Sequence, residues 1–356
     1  SKVLKNYGDT YYSPKSYNNH YGVPLSLSNM KLSEKYCVFE LGMSKKGEIN
    51  ALAKMVKPDL GIITNIGEAH LENFKSIKGI AKAKSELINN ISSGGYIVLN
   101  YDDKYYSFLK KIGTKKKIIK VNNALSFLNS FANAKRNLIN AKIIAITGSS
   151  GKTTLKTLLS KVLKNYGDTY YSPKSYNNHY GVPLSLSNMK LSDKYCVFEI
   201  GMSKKGEINA LAKMVKPDLG IITNIGEAHL ENFKSIKGIA KAKSELINNI
   251  SSGGYIVLNS DDKYYSFLKK IALKRNLRII SYGYSKKADV SFNYSKKDFI
   301  IIKYQNKNFK LFLKNQKKIN IFNLLCCFAV LSILNLDFKE ITKKNKFFES
   351  IEGRGK

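Results

Sequence analysis

Tryptophan is absent from the sequence, proline occurs six times, and of 60 basic residues only Arg136, Arg275, Arg278 and Arg354 are arginine. Acidic residues are also scarce, 26 in all, which leaves a formal charge of +34. A surplus of that size invites a polyanionic partner such as nucleic acid or an anionic membrane surface. The shortage of arginine weakens that invitation. A planar guanidinium is the favoured reader of phosphates and guanine edges, whereas lysine scattered through amphipathic segments reads as a solvated surface. No apolar run reaches 18 residues, and Ser1-Lys2-Val3-Leu4-Lys5 has no signal-peptide core. The expectation is a cytoplasmic chain without membrane insertion or nucleic acid, and a monomer. Cys37, Cys196, Cys326 and Cys327 have neither metal-site spacing nor a disulfide framework and sit among apolar residues as small hydrophobes do. With 43% hydrophobic residues, wholesale disorder is excluded.

The chain contains a copy of itself. Residues 1–112 recur at 160–271 with only three differences, Glu34/Asp193, Leu41/Ile200 and Tyr101/Ser260. Solenoid repeats are short, numerous and diverged, so one long unit copied once is not a solenoid. A recent tandem duplication or an artificial joining of the sequence gives this pattern. Residues 113–159 and 272–356 are unique.

Around the second copy, short β-rich runs (Lys142–Thr147, Tyr195–Phe198, Leu219–Thr223, Tyr255–Leu258) alternate with helical patterns at about 153–166, 206–215, 235–250 and 262–272. This order predicts an α/β fold, a mostly parallel sheet with helices on both faces. Val290–Tyr294, Asp298–Tyr304 and Asn308–Leu313 then read as antiparallel hairpins at the sheet edge, and Ile319–Leu334 as a helix.

The run KIIAIT leads straight into Gly148-Ser149-Ser150-Gly151-Lys152-Thr153-Thr154 and then into a helical pattern. A glycine-bearing turn between a buried strand and a helix N-terminus offers backbone N–H groups and the helix dipole to phosphate oxygens. Lys152 reaches the β- and γ-phosphates in such a loop, and the Thr153 hydroxyl sits on Mg²⁺. Ile146 stands where the longer G-x-x-x-x-G-K-[ST] pattern has glycine, so this is the shorter T-G-x-x-G-K-T form. The loop occurs once, because the first copy begins at the counterpart of Ser160. Glu199 ends the next strand, a usual place for a Mg²⁺-holding acid, and Asn224 and His229 follow the strand after it. A lone histidine is more often a satisfied surface residue, yet this one lies among strand ends that converge on a crevice. Pattern alone makes Lys243 a solvated lysine, on a helix whose apolar face uses Ile236, Ile239, Leu246 and Ile250. Asn177-Asn178 reads equally well as a turn.

Together, ITGSSGKTTLK (146–156), YNNHYGVPLSL (176–186), FEIGMSKKGEI (198–208) and ITNIGEAHLENFKSIKGIAKAKSEL (222–246) resemble the Mur ligase family. Its branch adding D-alanyl-D-alanine to UDP-N-acetylmuramoyl-tripeptide is the most similar. The resemblance covers about 117 to the end and the first copy. It implies ATP and Mg²⁺ as cofactors and those two peptides as substrates, joined through an acyl phosphate. It assigns Gly148 to Thr154 and Asn224 to ATP, and Thr153 and Glu199 to Mg²⁺. His229 is implied as ligand of a second Mg²⁺, Lys243 as a carbamylated lysine supporting that metal, and Asn177 and Asn178 as substrate-binding. Lys152, His229 and Lys243 are the implied catalytic set. Asn323 matches an asparagine near adenine, although Lys317 and Ile319 replace the glycine and histidine of the motif. Arg354 resembles the arginine that opens the C-terminal domain.

The expected organisation is a partial central domain without the phosphate loop (1–112), a linker with the remnant of an N-terminal domain (113–141), the ATP-binding central domain (142–336) and the start of a C-terminal domain (337–356). On this reading the chain as given does not ligate. A non-catalytic fragment and a basic nucleic-acid-binding protein are the competing classes. The first copy keeps Asn18, Asn19, Glu40, His70 and Lys84. It is expected either as a partly folded appendage with open strand edges or as a competitor for the single 142–148 strand, which the shorter loop closure gives to the second copy.

Overall fold

A computed structural model describes residues 4–228, 230–295, 299–305, 307–312 and 321–338. The chain forms two compact units, residues 1–130 and 131–356.

The first unit runs β1 (Thr10–Tyr12), α1 (Gly22–Ser28), β2 (Tyr36–Val38), α2 (Glu48–Val56), β3 (Leu60–Ile63), α3 (Ile77–Asn89), β4 (Tyr96–Asn100), α4 (Tyr106–Ile112) and β5 (Lys117–Val121). Helix α5 (Ala124–Leu138) leads into the second unit: β6 (Lys142–Thr147), α6 (Lys152–Leu163), β7 (Thr169–Tyr171), α7 (Gly181–Ser187), β8 (Tyr195–Glu199), α8 (Glu207–Val215) and β9 (Leu219–Ile222). There follow α9 (Ile236–Ser244), β10 (Tyr255–Asn259), α10 (Tyr265–Lys274), β11 (Arg278–Gly283), β12 (Val290–Ser295), β13 (Phe299–Tyr304), β14 (Lys307–Phe312) and α11 (Ile321–Ile333).

The second unit is built on one nine-stranded sheet, ordered β14-β13-β12-β11-β10-β9-β6-β8-β7. Pairing is parallel from β7 through β12 and antiparallel in the β12-β13-β14 meander. Strand β6 is central, with Ile143 opposite Cys196 of β8 and Ile144 opposite Leu219 of β9. Its alternation serves two cores. Ile144 and Ile146 pack with Leu155, Leu159 and Val162 of α6 and with α11, while Ile143 and Ala145 pack with Leu186, Ile208, Leu211 and Ile239. A strand covered on both faces by helices must be apolar throughout, and this explains KIIAIT.

The first unit shows what the same sequence does without β6. Its strands form two separate sheets, β1-β2 and β3-β4-β5. Their registers repeat those of the second unit residue for residue: Thr10 pairs with Tyr36 as Thr169 does with Tyr195, and Leu60 with Tyr96 as Leu219 does with Tyr255. The two halves are not joined. Leu60 is 48% and Ile62 56% exposed, against 2% and 0% for Leu219 and Ile221. Full burial of such a side chain contributes about 1.5–3 kcal/mol.

Several expectations need correction. Cys37 is exposed whereas Cys196, Cys326 and Cys327 are buried, because in the second unit β6 pairs with the strand that carries Cys196. Residues 113–141 are not a free linker: β5 is the third strand beside β4, where β11 lies beside β10. The helix expected over 235–250 stops at Ser244 and tightens into a short turn at Ile247–Asn249, while its copy α3 continues to Asn89. In the second unit that break accompanies complete burial of Leu246, whereas its copy Leu87 is only partly buried; Ile247 and its copy Ile88 are buried in both. Packing overrides the local helical pattern. Residues 298, 313, 319 and 320, within the expected strands and helix, lie outside the described residues.

Deprived of a central strand, β2 is expected to open far more readily than β8. In hydrogen exchange read by mass spectrometry, peptides spanning 34–40 and 193–199 are separable by the Glu34/Asp193 mass difference. The amides of Tyr36–Val38 are expected to exchange at least about a hundredfold faster than those of Tyr195–Val197. Equal protection would mean that the first unit completes its sheet by another route.

Candidate functional site

The carboxyl ends of β6, β8 and β9 bring together the 148–154 loop, Glu199 and Asn224. Gly148 leaves β6 at φ +152°, and a Cβ built on it would fall 1.8 Å from Thr223 Oγ1, so only glycine fits. Gly151 opens α6 in the left-handed region (φ 79°). No side chain caps α6, so its first-turn N–H donors are left for a ligand.

The loop is clamped from β9. Ser149 N–H donates to the carbonyl and side-chain oxygens of Asn224 (3.0 and 3.1 Å), and Ser150 N–H to Asn224 Oδ1 (2.9 Å). Asn224 Nδ2 donates to Ser150 Oγ (2.8 Å), Thr223 Oγ1 to the Ser150 carbonyl (2.7 Å), and Gly226 N–H to Ser149 Oγ (2.8 Å). Tyr282 Oη donates to the Thr223 carbonyl (3.0 Å), and Ile225 N–H donates to Asp262 (2.7 Å). Asn224 thus holds the loop's shape.

Lys152 Nζ donates to the Gly148 carbonyl (2.7 Å), which folds the side chain back over the loop. Burial pushes its ammonium below the ordinary value, and Glu199 opposes that shift. Thr153 Oγ1 donates to Glu199 Oε2 (2.9 Å) and Asn177 Nδ2 to Glu199 Oε1 (2.8 Å). Glu199 is 2% exposed. Lys156, which sequence reasoning passed over, is also buried and reaches the same Oε2 at 3.4 Å, with a second bond to the Lys174 carbonyl. Burial lowers its pKa, again opposed by Glu199.

Asn323, on α11, is buried with Oδ1 3.5 Å from where a Gly151 Cβ would lie, so it stands at the loop itself. Asn178 Oδ1 accepts from the N–H groups of Tyr180 and Gly181 and holds the turn before α7. Asn177 touches Glu199. His229 and Arg354 lie outside the described residues.

The donor set fits a hard divalent cation such as Mg²⁺. It offers a hydroxyl and one carboxylate, and no group of three or more His, Cys, Asp or Glu exists among the described residues. Mg²⁺ is characteristically held by one or two carboxylates with substrate phosphates completing its shell. No helix among the described residues is long and apolar enough to cross a membrane.

A family model described as Mur ligase middle domain matches residues 1–140 and 146–331. The UDP-N-acetylmuramoyl-tripeptide--D-alanyl-D-alanine ligase of Rickettsia prowazekii is 39% identical over 181 residues, 50% of this chain and 40% of that protein. The chain spans 40% or less of the length of the curated relatives it matches. Two solved structures share its fold. MurF from Acinetobacter baumannii has a TM-score of 0.61 at 24% identity, covering 75% of this chain and 62% of that one. MurF ligase from Thermotoga maritima in complex with ADP has a TM-score of 0.60 at 23% identity, covering 80% and 62%.

Lys243 is 2% exposed on α9, and among the described residues its ammonium has no hydrogen-bond or ion-pair partner. Burial, and then the charge of Lys152, push its pKa down to about 7. Its copy Lys84 is partly exposed and donates to the Asn65 carbonyl (3.1 Å). Unfolded, the lysine keeps its proton up to about 10.5; folded, only to about 7. Burial therefore costs most below pH 7, and the cost fades as pH rises toward 10.5. Lys243→Met is expected to stabilise the chain in CO₂-free buffer by about 1–4 kcal/mol at pH 6, with the gain vanishing by about pH 10. Denaturant melts across that range check this; a gain independent of pH would remove the titrating charge as its cause.

Proposed function

The chain belongs to the Mur ligase family, and from that premise we propose that its second unit binds ATP and activates a carboxylate for amide-bond formation. The observation that carries this reading is the clamped phosphate loop with Lys152, Thr153 and Glu199 gathered at its mouth. The first-turn N–H groups of α6 receive phosphate oxygens, and Lys152 moves from the Gly148 carbonyl onto the β- and γ-phosphates. Asn224 keeps the loop open by occupying the Ser149 and Ser150 donors. Asn323 at Gly151 sits on the nucleotide side, and Arg354 is assigned to the nucleotide by resemblance. Thr153 and Glu199 would hold Mg²⁺, with His229 at a second ion by resemblance, and the metal would offset the charge of the transferring phosphoryl group.

The substrates named for the relatives, UDP-N-acetylmuramoyl-tripeptide and D-alanyl-D-alanine, supply the carboxylate and the amine. The γ-phosphoryl passes to the tripeptide carboxylate, giving an acyl phosphate; the dipeptide amine attacks its carbonyl and phosphate leaves. Asn177, tied to Glu199, is assigned to the acceptor substrate by resemblance. Lys243 is suited to carbamylation, because a lysine with a pKa about 7 is largely neutral at physiological pH. Its amine adds to CO₂ with loss of a proton, and the resulting anion relieves the repulsion from Lys152.

An ATP titration with Mg²⁺ on the chain and on Lys152→Ala tests the reading. Affinity is expected to fall at least about tenfold on substitution, as for loss of a charge-assisted phosphate contact. Equal binding by both removes Lys152 from the nucleotide site, and binding by neither removes the ATP reading.

A further inference from the structure

A second ammonium at Glu199 is not required by the phosphate-loop pattern. Lys156 lies one turn beyond Thr153 on α6, and the Lys156–Glu199 ion pair, at 3.4 Å, has both side chains 2% exposed. Desolvating both charges costs about as much as their attraction returns, so stability alone is a poor account of the pair.

The repeat isolates what Lys156 contributes. Glu40, the copy of Glu199, has no counterpart of residues 142–159 in its own repeat and hence no equivalent of Thr153 or Lys156. Nevertheless Asn18 Nδ2 donates to Glu40 Oε1 at 2.7 Å, as Asn177 does to Glu199 at 2.8 Å. The Glu40 N–H reaches Ser13 Oγ at 3.2 Å, as the Glu199 N–H reaches Ser172 Oγ at 3.3 Å. Strand end and asparagine are enough to set the carboxylate. What Lys156 adds is a charge on Oε2, the oxygen that also accepts from Thr153.

We propose that Lys156 is a built-in counter-ion that keeps a free divalent cation off Glu199 and admits the cation only together with a polyphosphate. The inference rests on the ATP-binding reading. A divalent ion on Oε2 lies within a few ångströms of the ammonium in a poorly screened site, and the two repel strongly. Phosphate oxygens arriving with the ion supply the missing negative charge. The Lys174 carbonyl is a second acceptor for the ammonium, so Lys156 keeps a partner when the carboxylate turns to the metal. The same contact ties α6 to the loop that carries Asn177. Lys156 is thus a positioning and gating residue that acts through Glu199.

Mn²⁺ titration followed by electron paramagnetic resonance, with and without a non-hydrolysable ATP analogue, tests the gate on the full chain and on Lys156→Arg, Lys156→Met and Lys156→Gln. Without nucleotide, the Met and Gln variants are expected to bind Mn²⁺ at least about tenfold tighter than the parent and the Arg variant. With the analogue present the difference should nearly disappear. Adding Glu199→Gln to Lys156→Gln should abolish the gain, which places the bound ion at Glu199. Circular dichroism confirms folding, and the Gln variant, which keeps a neutral donor, carries the test if the Met variant unfolds. Unchanged free Mn²⁺ affinity in a folded Gln variant, while the parent still binds the analogue with Mn²⁺, overturns the gate alone. No binding of analogue or Mn²⁺ by any variant overturns the gate and the ATP reading together.

Discussion

One strand, β6, is the constraint on which the rest of the second unit depends. It donates and accepts ladder hydrogen bonds on both edges, to β8 and β9. It also buries side chains in the cores on both faces. Its last residue hands the chain to Gly148, so the position of the phosphate loop is set by the same ladder that joins the half-sheets. The first unit is the comparison that isolates this role. With nearly identical sequence and identical registers, it keeps β1-β2 and β3-β4 and loses the connection between them.

The two copies also separate the chemistry of a residue from that of its surroundings. Glu40 and Glu199 lie in the same sequence but for Leu41/Ile200 beside them, and Lys84 and Lys243 have the same neighbours. Glu40 is exposed and Glu199 is buried; Lys84 finds a carbonyl and Lys243 finds no partner among the described residues. In the first unit these residues are ordinary surface groups. In the second, withdrawal from water moves the Lys243 ammonium to where its proton is exchangeable near neutrality. A motif match alone assigns the same function to both, and burial under β6 and α6 distinguishes them.

How much of this was legible in the sequence follows from the range of the contacts involved. The strand, glycine turn and helix at 142–163 are local and were readable, as were the antiparallel edge strands with their alternating pattern. The Thr153–Glu199 bond was inferable because strand ends of a parallel sheet converge. Lys156 was not, since its partners Glu199 and Lys174 lie 43 and 18 residues away and its position on α6 looks like one polar residue on an amphipathic helix. Asn178 was read equally as a turn or a ligand, and the turn is the contact its Oδ1 makes. The end of α9 was misread because Leu246 is drawn fully into the core where its copy Leu87 is not, and Lys117–Val121 was overlooked as a strand because it alternates only weakly.

The net charge takes its meaning from the same distinction. Most of the +34 belongs to lysines on solvated surface, and part of it is one lysine-rich segment counted twice. Such charges are screened within about 10 Å at ordinary ionic strength and define no particular partner. The charges that define one are few and withdrawn from water: Lys156, Lys243 and Glu199 are buried, and Lys152 is half-buried at the loop. Lys152 and Lys156 against one carboxylate leave the loop mouth positive where screening is weak; burial lowers the basicity of both while Glu199 opposes that shift, and only Lys243 is pushed down further by another lysine, Lys152. A cation entering alone makes the imbalance worse, whereas a polyphosphate corrects it. The anion, with its metal in attendance, is therefore the ligand that completes the electrostatics of the site.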